Sequence, residues 1–576
     1  VKNVLGTRHG LRTNRSLTII AQDPSFQIDN KILRATIEVP AEELSPGPSG
    51  YRVSVIDYDA TANVLYAPLE LNSGLDENYP DPFADKSDQE LLDNPGFHAQ
   101  NAYAIVMRIL ARFELALGRR VAWGSSGHQL HVAPHAFAEP NAFYSREDRA
   151  LFFGYFEGVL DGRKTSQTVF TSLAHDVVAH ETTHALLDGL RQRYLEPSSP
   201  DQAAFHEGFA DIAALLSVLS LDAIVRAVLD GKPDDRLIDA RFLTPEALID
   251  SSLMSLAKEM GQELSGIRGS ALRQSLKLEP GHDYMNDEAF QEEHRRGEIL
   301  VAAMLRSFLD IWVARLQRVG TISRGKKDRS LVVEEGAKAA DHLLTMAIRA
   351  IDYCPPVDLT FSAYLSALLT VDREVVPDDR YGYREALLRN FASYGIAPSS
   401  SADVDGTWRR SDRDMVYSRT HFDSMLRDEE EMFRFVWENR RALELGEVGY
   451  IEVQSVRPST RIAPDGFVLR ETIAEYVQML TLQAQELKDL GVDIPDGLDH
   501  WRNVTLFGGG TLVFDEYGQL KYQIANHLLN SEADIGRQSQ RIAHLWESGF
   551  YADPAVAASR FAELHMARAM ADRVSL

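Results

Sequence analysis

The segment Asp176-Val-Val-Ala-His-Glu-Thr-Thr-His-Ala-Leu-Leu-Asp188 constrains this chain more than any other. Read as an α-helix, it places His180 and His184 one turn apart on one face. Two imidazoles so placed can share one metal ion, and Glu181, beside the first, can reach a water on that metal. This is the H-E-x-x-H zinc pattern, two ligands and a general base. A catalytic zinc wants a third protein ligand and one open position. Phe205-His-Glu-Gly-Phe-Ala-Asp-Ile212 offers that ligand in Glu207, on a second helix facing the first. Asp211, one turn further, can accept the free N–H of a zinc-bound His and fix its tautomer. Phe205, Phe209, Ile212, Leu215 and Leu216 predict that the second helix is buried. A buried carboxylate needs a partner, and a zinc ion would be one.

These residues carry a resemblance. The 176–188 segment is similar to the active-site helix of the thermolysin-like metallopeptidases, gluzincins whose third zinc ligand is a glutamate. The resemblance covers roughly residues 95–390. It implies His180, His184 and Glu207 as zinc ligands, Glu181 as base and Asp211 behind a ligand. Pro140-Asn-Ala-Phe-Tyr144 is similar to the family's substrate-binding edge strand, so Asn141 and the Ala142 backbone are expected to hold an extended peptide. Gly269-Ser-Ala-Leu-Arg-Gln-Ser275 resembles the segment whose Arg binds the carbonyl beside the scissile bond. Arg273 takes that place, with Arg268 a nearby competitor.

Glu292-Glu-His-Arg-Arg-Gly-Glu298 looks like the family's His-x-x-x-Gly loop leading into a helix. His294 is one residue closer to Gly297 than the pattern, and is assigned as the cationic donor to the oxyanion. Glu288 fits the carboxylate that orients this His, with Asp287 and Glu293 as alternatives. Tyr194 is the only Tyr between the zinc helices. Its hydroxyl is expected either to help hold the oxyanion or to pack, because its register is off by one. The family's paired calcium site uses an Asp at the place of Asp176 and an acid at the place of Val218. An apolar group in a calcium shell is unfavourable, so paired structural calcium is not expected.

At 576 residues the chain is too long for one core. We read residues 1–90 as a β-rich N-terminal region and 91–190 as a peptidase N-terminal lobe with the zinc helix. Residues 191–400 read as a helical lobe and 401–576 as a C-terminal α+β accessory domain that matches nothing in the family. The expected class is α+β: a thermolysin-like two-lobed metallopeptidase with the zinc cleft between a β-rich and a helical lobe. Leu75 to Asn94 reads as a linker or surface loop, and Phe422 to Leu445 as one charged helix. Asp57 and Asp59 read as solvated strand-end carboxylates, since their spacing does not match a calcium loop.

The formal net charge of −25 argues against nucleic acid and anionic membranes as partners. No run of 18 apolar residues occurs, so no membrane span is expected. One cysteine, Cys354, excludes an intramolecular disulfide. Val1 to Arg15 is polar and basic, without the apolar run of a signal peptide, which favours a cytoplasmic over a secreted protein. The expected activity is that of a zinc-dependent endopeptidase acting on peptide or protein substrates. The alternatives are an exopeptidase built on the same site and a non-catalytic zinc-binding interaction module.

Overall fold

The computed structural model describes residues 14–71, 79–124, 127–160, 163–229, 235–249, 275, 277–322, 325–462 and 466–551. Arg268 and Arg273 lie outside the described residues. The architecture is α+β, with the strands gathered at the two ends of the sequence and helices between them.

β1 (Asn14–Ile20) and β2 (Arg34–Pro40) form an antiparallel pair. β3 (Val53–Val55), β4 (Leu130–Phe137), β6 (Ala150–Leu160) and β7 (Arg163–Phe170) form a sheet in the order β7-β6-β4-β3. β5 (Ala142–Ser145) pairs antiparallel with β6. No further strand pairs with β5 among the described residues, so its second edge faces away from the ladder.

Helix α1 (Pro95–Leu117) begins with Pro95 behind an Asn94 cap and ends at Gly118 in the left-handed region, φ 66°. Only glycine fits there, since a Cβ would stand 2.1 Å from the Thr460 carbonyl oxygen. Next come α2 (His175–Leu190) and α3 (Pro200–Leu219). Every residue of α2 is buried, its charged ones included. Thr182 and Thr183 meet that burial by donating to the carbonyls of Val178 and Ala179, at 2.6 and 2.7 Å. α4 (Glu293–Leu316), α5 (Arg329–Ala350) and α6 (Phe361–Val375) complete the helical part. α3 crosses α4 where Gly208 meets Gly297. A Cβ on Gly208 would lie 3.1 Å from the Gly297 carbonyl oxygen. That backbone-to-backbone approach brings the start of α4 beside Glu207. No single described helix is long and apolar enough to cross a membrane.

The C-terminal part is a four-stranded antiparallel sheet in chain order: β8 (Tyr450–Ile462), β9 (Val468–Gln483), β10 (Asn503–Phe514) and β11 (Leu520–Asn526). Helix α7 (Glu532–Glu547) follows. Alternation along the strands sends Ile473 and Val513 into the main core that takes in α2 and α3. Their neighbours Ala474 and Leu512 join a second cluster with Met432, Phe435 and Val436. The sheet is therefore packed on both faces.

Three expectations need correction. The 422–445 segment is two helices, Phe422–Met425 and Glu429–Glu438, because the Asp428 side chain caps the second. The 75–94 segment contains the helix Asp88–Leu92, closed by a capping box between Ser87 and Glu90. Asp57 and Asp59 are not solvated either. Both are buried, bonded to His135 and Tyr155 respectively.

A buried ionic network joins the sheet to the helices. Asp352 takes both terminal nitrogens of Arg119 at 2.6 Å and pairs with Arg461, which also holds Glu471 at 2.7 Å. Burial pushes the Asp352 pKa up, but the two guanidinium groups hold it well below the usual carboxylate range. Its contribution is thus present above the unfolded carboxylate range, near pH 4, and is lost only as pH falls through the lower folded value. Asp352→Asn leaves the buried Arg119 without its carboxylate and Arg461 with Glu471 alone. It is expected to cost about 3–5 kcal/mol in denaturant unfolding at neutral pH. A cost below about 1 kcal/mol would show the network to behave as a hydrated surface pair.

Candidate metal centre

His180, His184 and Glu207 converge in the interior. Their donor atoms all lie within 4.8 Å of one another, and all three residues are buried. Glu207 stands with one oxygen 3.4 Å from His184 Nε2 and the other 3.5 Å from His180 Nε2. The two Nε2 atoms are 2.7 Å apart. Two imidazole nitrogens at that distance need a proton or a cation between them.

The far side of each ring is tied. His180 Nδ1 meets Asp211 Oδ1 at 2.7 Å. A carboxylate only accepts, so Nδ1 carries the hydrogen and Nε2 presents its lone pair to the cluster. His184 Nδ1 meets His206 Nδ1 at 2.8 Å, with the rings stacked. Burial pushes the His184 pKa down to about 4, even with Glu207 beside it. At neutral pH it is the neutral imidazole that binds metals. Two neutral nitrogens and one carboxylate oxygen, oriented from behind, are a donor set that fits a cation taking N and O ligands.

Glu181 points to the sheet instead. It is fully buried, and Oε2 accepts the Tyr144 backbone N–H at 3.0 Å. That N–H lies on the edge of β5 turned away from β6. Strand alternation puts the Ala142 carbonyl on the same edge. Asn141 sits at the head of the strand, where its carbonyl accepts from Gly154 N–H and its side chain from Ala142 N–H, each at 2.9 Å. The Tyr144 hydroxyl donates to Asp188, at the far end of α2, at 2.8 Å. Burial pushes the Asp188 pKa up to about 6, against the pull of Arg146. β5 and α2 are therefore bonded at two points through Tyr144, whose partners Glu181 and Asp188 stand seven residues apart.

His294 lies in the first turn of α4, not in a loop ahead of it. Its Nε2 is 3.9 Å from Glu207 Oε2 and its side chain is 9 % exposed. Its Nδ1 meets Glu292, not Glu288, at 2.8 Å. Glu288 is exposed, Asp287 pairs with His282, and Glu293 is not the partner of Nδ1. The reason is local. Glu292 is the N-cap of α4, and its carboxylate takes the His294 and Arg295 backbone N–H groups as well. Although burial opposes it, His294 and those amides lower the Glu292 pKa to about 2.

Tyr194 does not join the cluster. It is buried, and its hydroxyl donates to the Pro355 carbonyl at 2.6 Å. The packing role stands, and an oxyanion would have to look elsewhere for a donor. Tyr194 belongs to the connector between α2 and α3, which the C-terminal sheet and α7 hold. Arg191 pairs with Glu475 of β9, Arg193 lies over the Phe507 ring of β10, and Glu196 pairs with Arg541 of α7. Asp176 is in the first turn of α2, and Val218 is fully buried in α3.

Three contributors escaped sequence reading: His206 behind His184, Glu292 behind His294 and the Tyr144 N–H on Glu181. The adjacency of His206 to Glu207 was the one available signal. Compared with family models the chain matches none, and no curated protein matches it.

Proposed function

We propose that the protein is a zinc-dependent metallopeptidase of thermolysin-like, two-lobed design that cleaves within peptide chains. The observation that carries this reading is the convergence of His180, His184 and Glu207 beside a buried Glu181 that is itself bonded to a strand edge. Zinc held by those three residues would supply Lewis-acid polarisation of the scissile carbonyl and of the attacking water. The chain's own groups supply the rest. An extended peptide would lie along the outer edge of β5, and this sets the scissile bond against α2. Glu181 accepts the proton of the attacking water and returns it to the leaving amine. His294, held through Nδ1 by Glu292, donates through Nε2 to the carbonyl oxygen as charge develops there. Asp211 and His206 keep the two ring nitrogens aimed inward.

The test is metal content and cleavage on the same protein. Purified without chelator and equilibrated with zinc, the full chain should hold about one equivalent, and His184→Ala about none. It should cut a mixed peptide library, and chelation should stop it. Protein that takes up no zinc, or that cuts as fast after chelation, would defeat the reading. Zinc uptake with no cleavage of any peptide would favour a non-catalytic module.

A further inference from the structure

A second cavity, of about 570 Å3, shares no residue with the metal centre. It opens between the turn at Asp23–Ser25, the helix Asp88–Leu92, the start of α1 and the end of β7. That volume suits a small organic ligand.

Its chemistry is one-sided. Asp23 is 2 % exposed and lines the cavity. One oxygen accepts the Ser25 N–H at 2.8 Å and the Ser25 hydroxyl. The other, Oδ2, is buried without a hydrogen bond of good geometry, the Gln22 side chain being the nearest further donor to the carboxylate. A carboxylate oxygen in that state is costly, and burial accordingly pushes the Asp23 pKa up. Asp93, which accepts the Gln89 side-chain amide at 2.7 Å, adds a second carboxylate, and among the described residues no Lys or Arg lines the cavity.

One wall is aromatic. The Phe170 ring lies 4.6 Å from His98 and 5.2 Å from His135, and Tyr66 lies 4.9 Å from His135. These imidazoles are not free to turn. His98 Nε2 meets the Leu92 carbonyl at 2.8 Å, His98 Nδ1 meets His135 Nε2 at 2.7 Å, and His135 Nδ1 meets Asp57 at 2.8 Å. A carbonyl only accepts, so His98 carries its hydrogen on Nε2. Burial lowers its pKa to about 3, so it adds no positive charge. His135 then donates from both ring nitrogens, to His98 Nδ1 and to Asp57, so the positive charge of that ring is met by the Asp57 carboxylate and not by Asp23.

We propose that this cavity binds a small organic cation through a primary ammonium group, with Asp23 as counter-ion and the Phe170–Tyr66 wall against its aliphatic stem. A cation satisfies the poorly bonded oxygen and the excess of carboxylate, and ring faces favour it further. Ammonium fits better than guanidinium. Asp23 has one oxygen to spare, which suits a point charge, whereas a guanidinium fork wants two parallel acceptors. The ammonium could belong to a free diamine or to a peptide lysine.

Calorimetric titration of the full chain tests this with cadaverine and Nα-acetyl-lysine methylamide. Nα-acetyl-norleucine methylamide is the uncharged control. At least one ammonium ligand should bind with a dissociation constant below about 1 mM, and the control at least about tenfold more weakly. The tighter of the two ammonium ligands identifies the source. Asp23→Asn should weaken binding at least about tenfold. Gln89→Lys, at an exposed rim position that cannot disturb the core, should do the same by supplying a competing ammonium. Chelator should change nothing, which separates this site from the metal centre. Equal affinity for the norleucine control would overturn the proposal. So would unchanged binding in Gln89→Lys, or no binding of either amine at about 10 mM.

Discussion

Glu181→Gln is expected to lower peptide cleavage by at least about 10²–10⁴-fold while zinc content and melting temperature stay at parental values. Glu181 is fully buried, and its carboxylate accepts the Tyr144 N–H at 3.0 Å. A glutamine keeps the size and can offer its amide oxygen to the same N–H. The strand therefore stays docked on α2, and His180, His184 and Glu207 are untouched. What is lost is the ability to take a proton, because a carboxamide is not a base near neutral pH. The comparison separates catalysis from binding. A scaffold that uses zinc structurally would be indifferent to this change. Parental cleavage by Glu181→Gln would leave the zinc centre without a catalytic base and the proposed activity without a mechanism.

The candidate metal helix was readable because its information is local. Two His and a Glu at fixed spacing give the face, the candidate ligands and the candidate base before any tertiary contact is known. Glu207 was readable because a carboxylate amid Phe205, Phe209 and Ile212 has to be explained. The C-terminal sheet was harder. β9 runs over 16 residues with eight consecutive buried positions, yet Glu471 and Glu475 interrupt its apolar pattern. Their partners are Arg461, Lys521, Arg191 and Arg457, and Arg191 lies nearly three hundred residues away in sequence. No periodicity reveals an acid that is neutralised from another part of the fold. Tyr194 failed for the same reason. As the only Tyr in its segment it invited a catalytic role, while the carbonyl that holds its hydroxyl belongs to Pro355. Glu292 failed for the opposite reason. Its role follows from being the residue just before a helix, and the sequence reading placed it in a loop that leads into that helix.

His294→Ala is expected to cost roughly 10²–10³ in turnover with zinc retained, the size of effect seen when one oxyanion donor is removed. His294 Nε2 stands 3.9 Å from Glu207, close enough to reach a substrate atom at the centre without being one of its three ligands. Alanine at the second residue of α4 is a good helix former, so the fold should survive. The loss should fall on kcat more than on KM, because the donor acts on charge that develops only as the carbonyl is attacked. Two further variants test how the ring is held. Glu292→Gln replaces the carboxylate that takes Nδ1 and two backbone amides. It should lower kcat by less than His294→Ala, since the ring remains but its anionic partner is gone. Glu288→Gln, at an exposed position, should leave kcat unchanged. The reverse order, with Glu288→Gln slow and Glu292→Gln normal, would mean that α4 begins differently in solution. A His294→Ala variant of parental kcat would remove the only oxyanion donor that the described residues place beside Glu207.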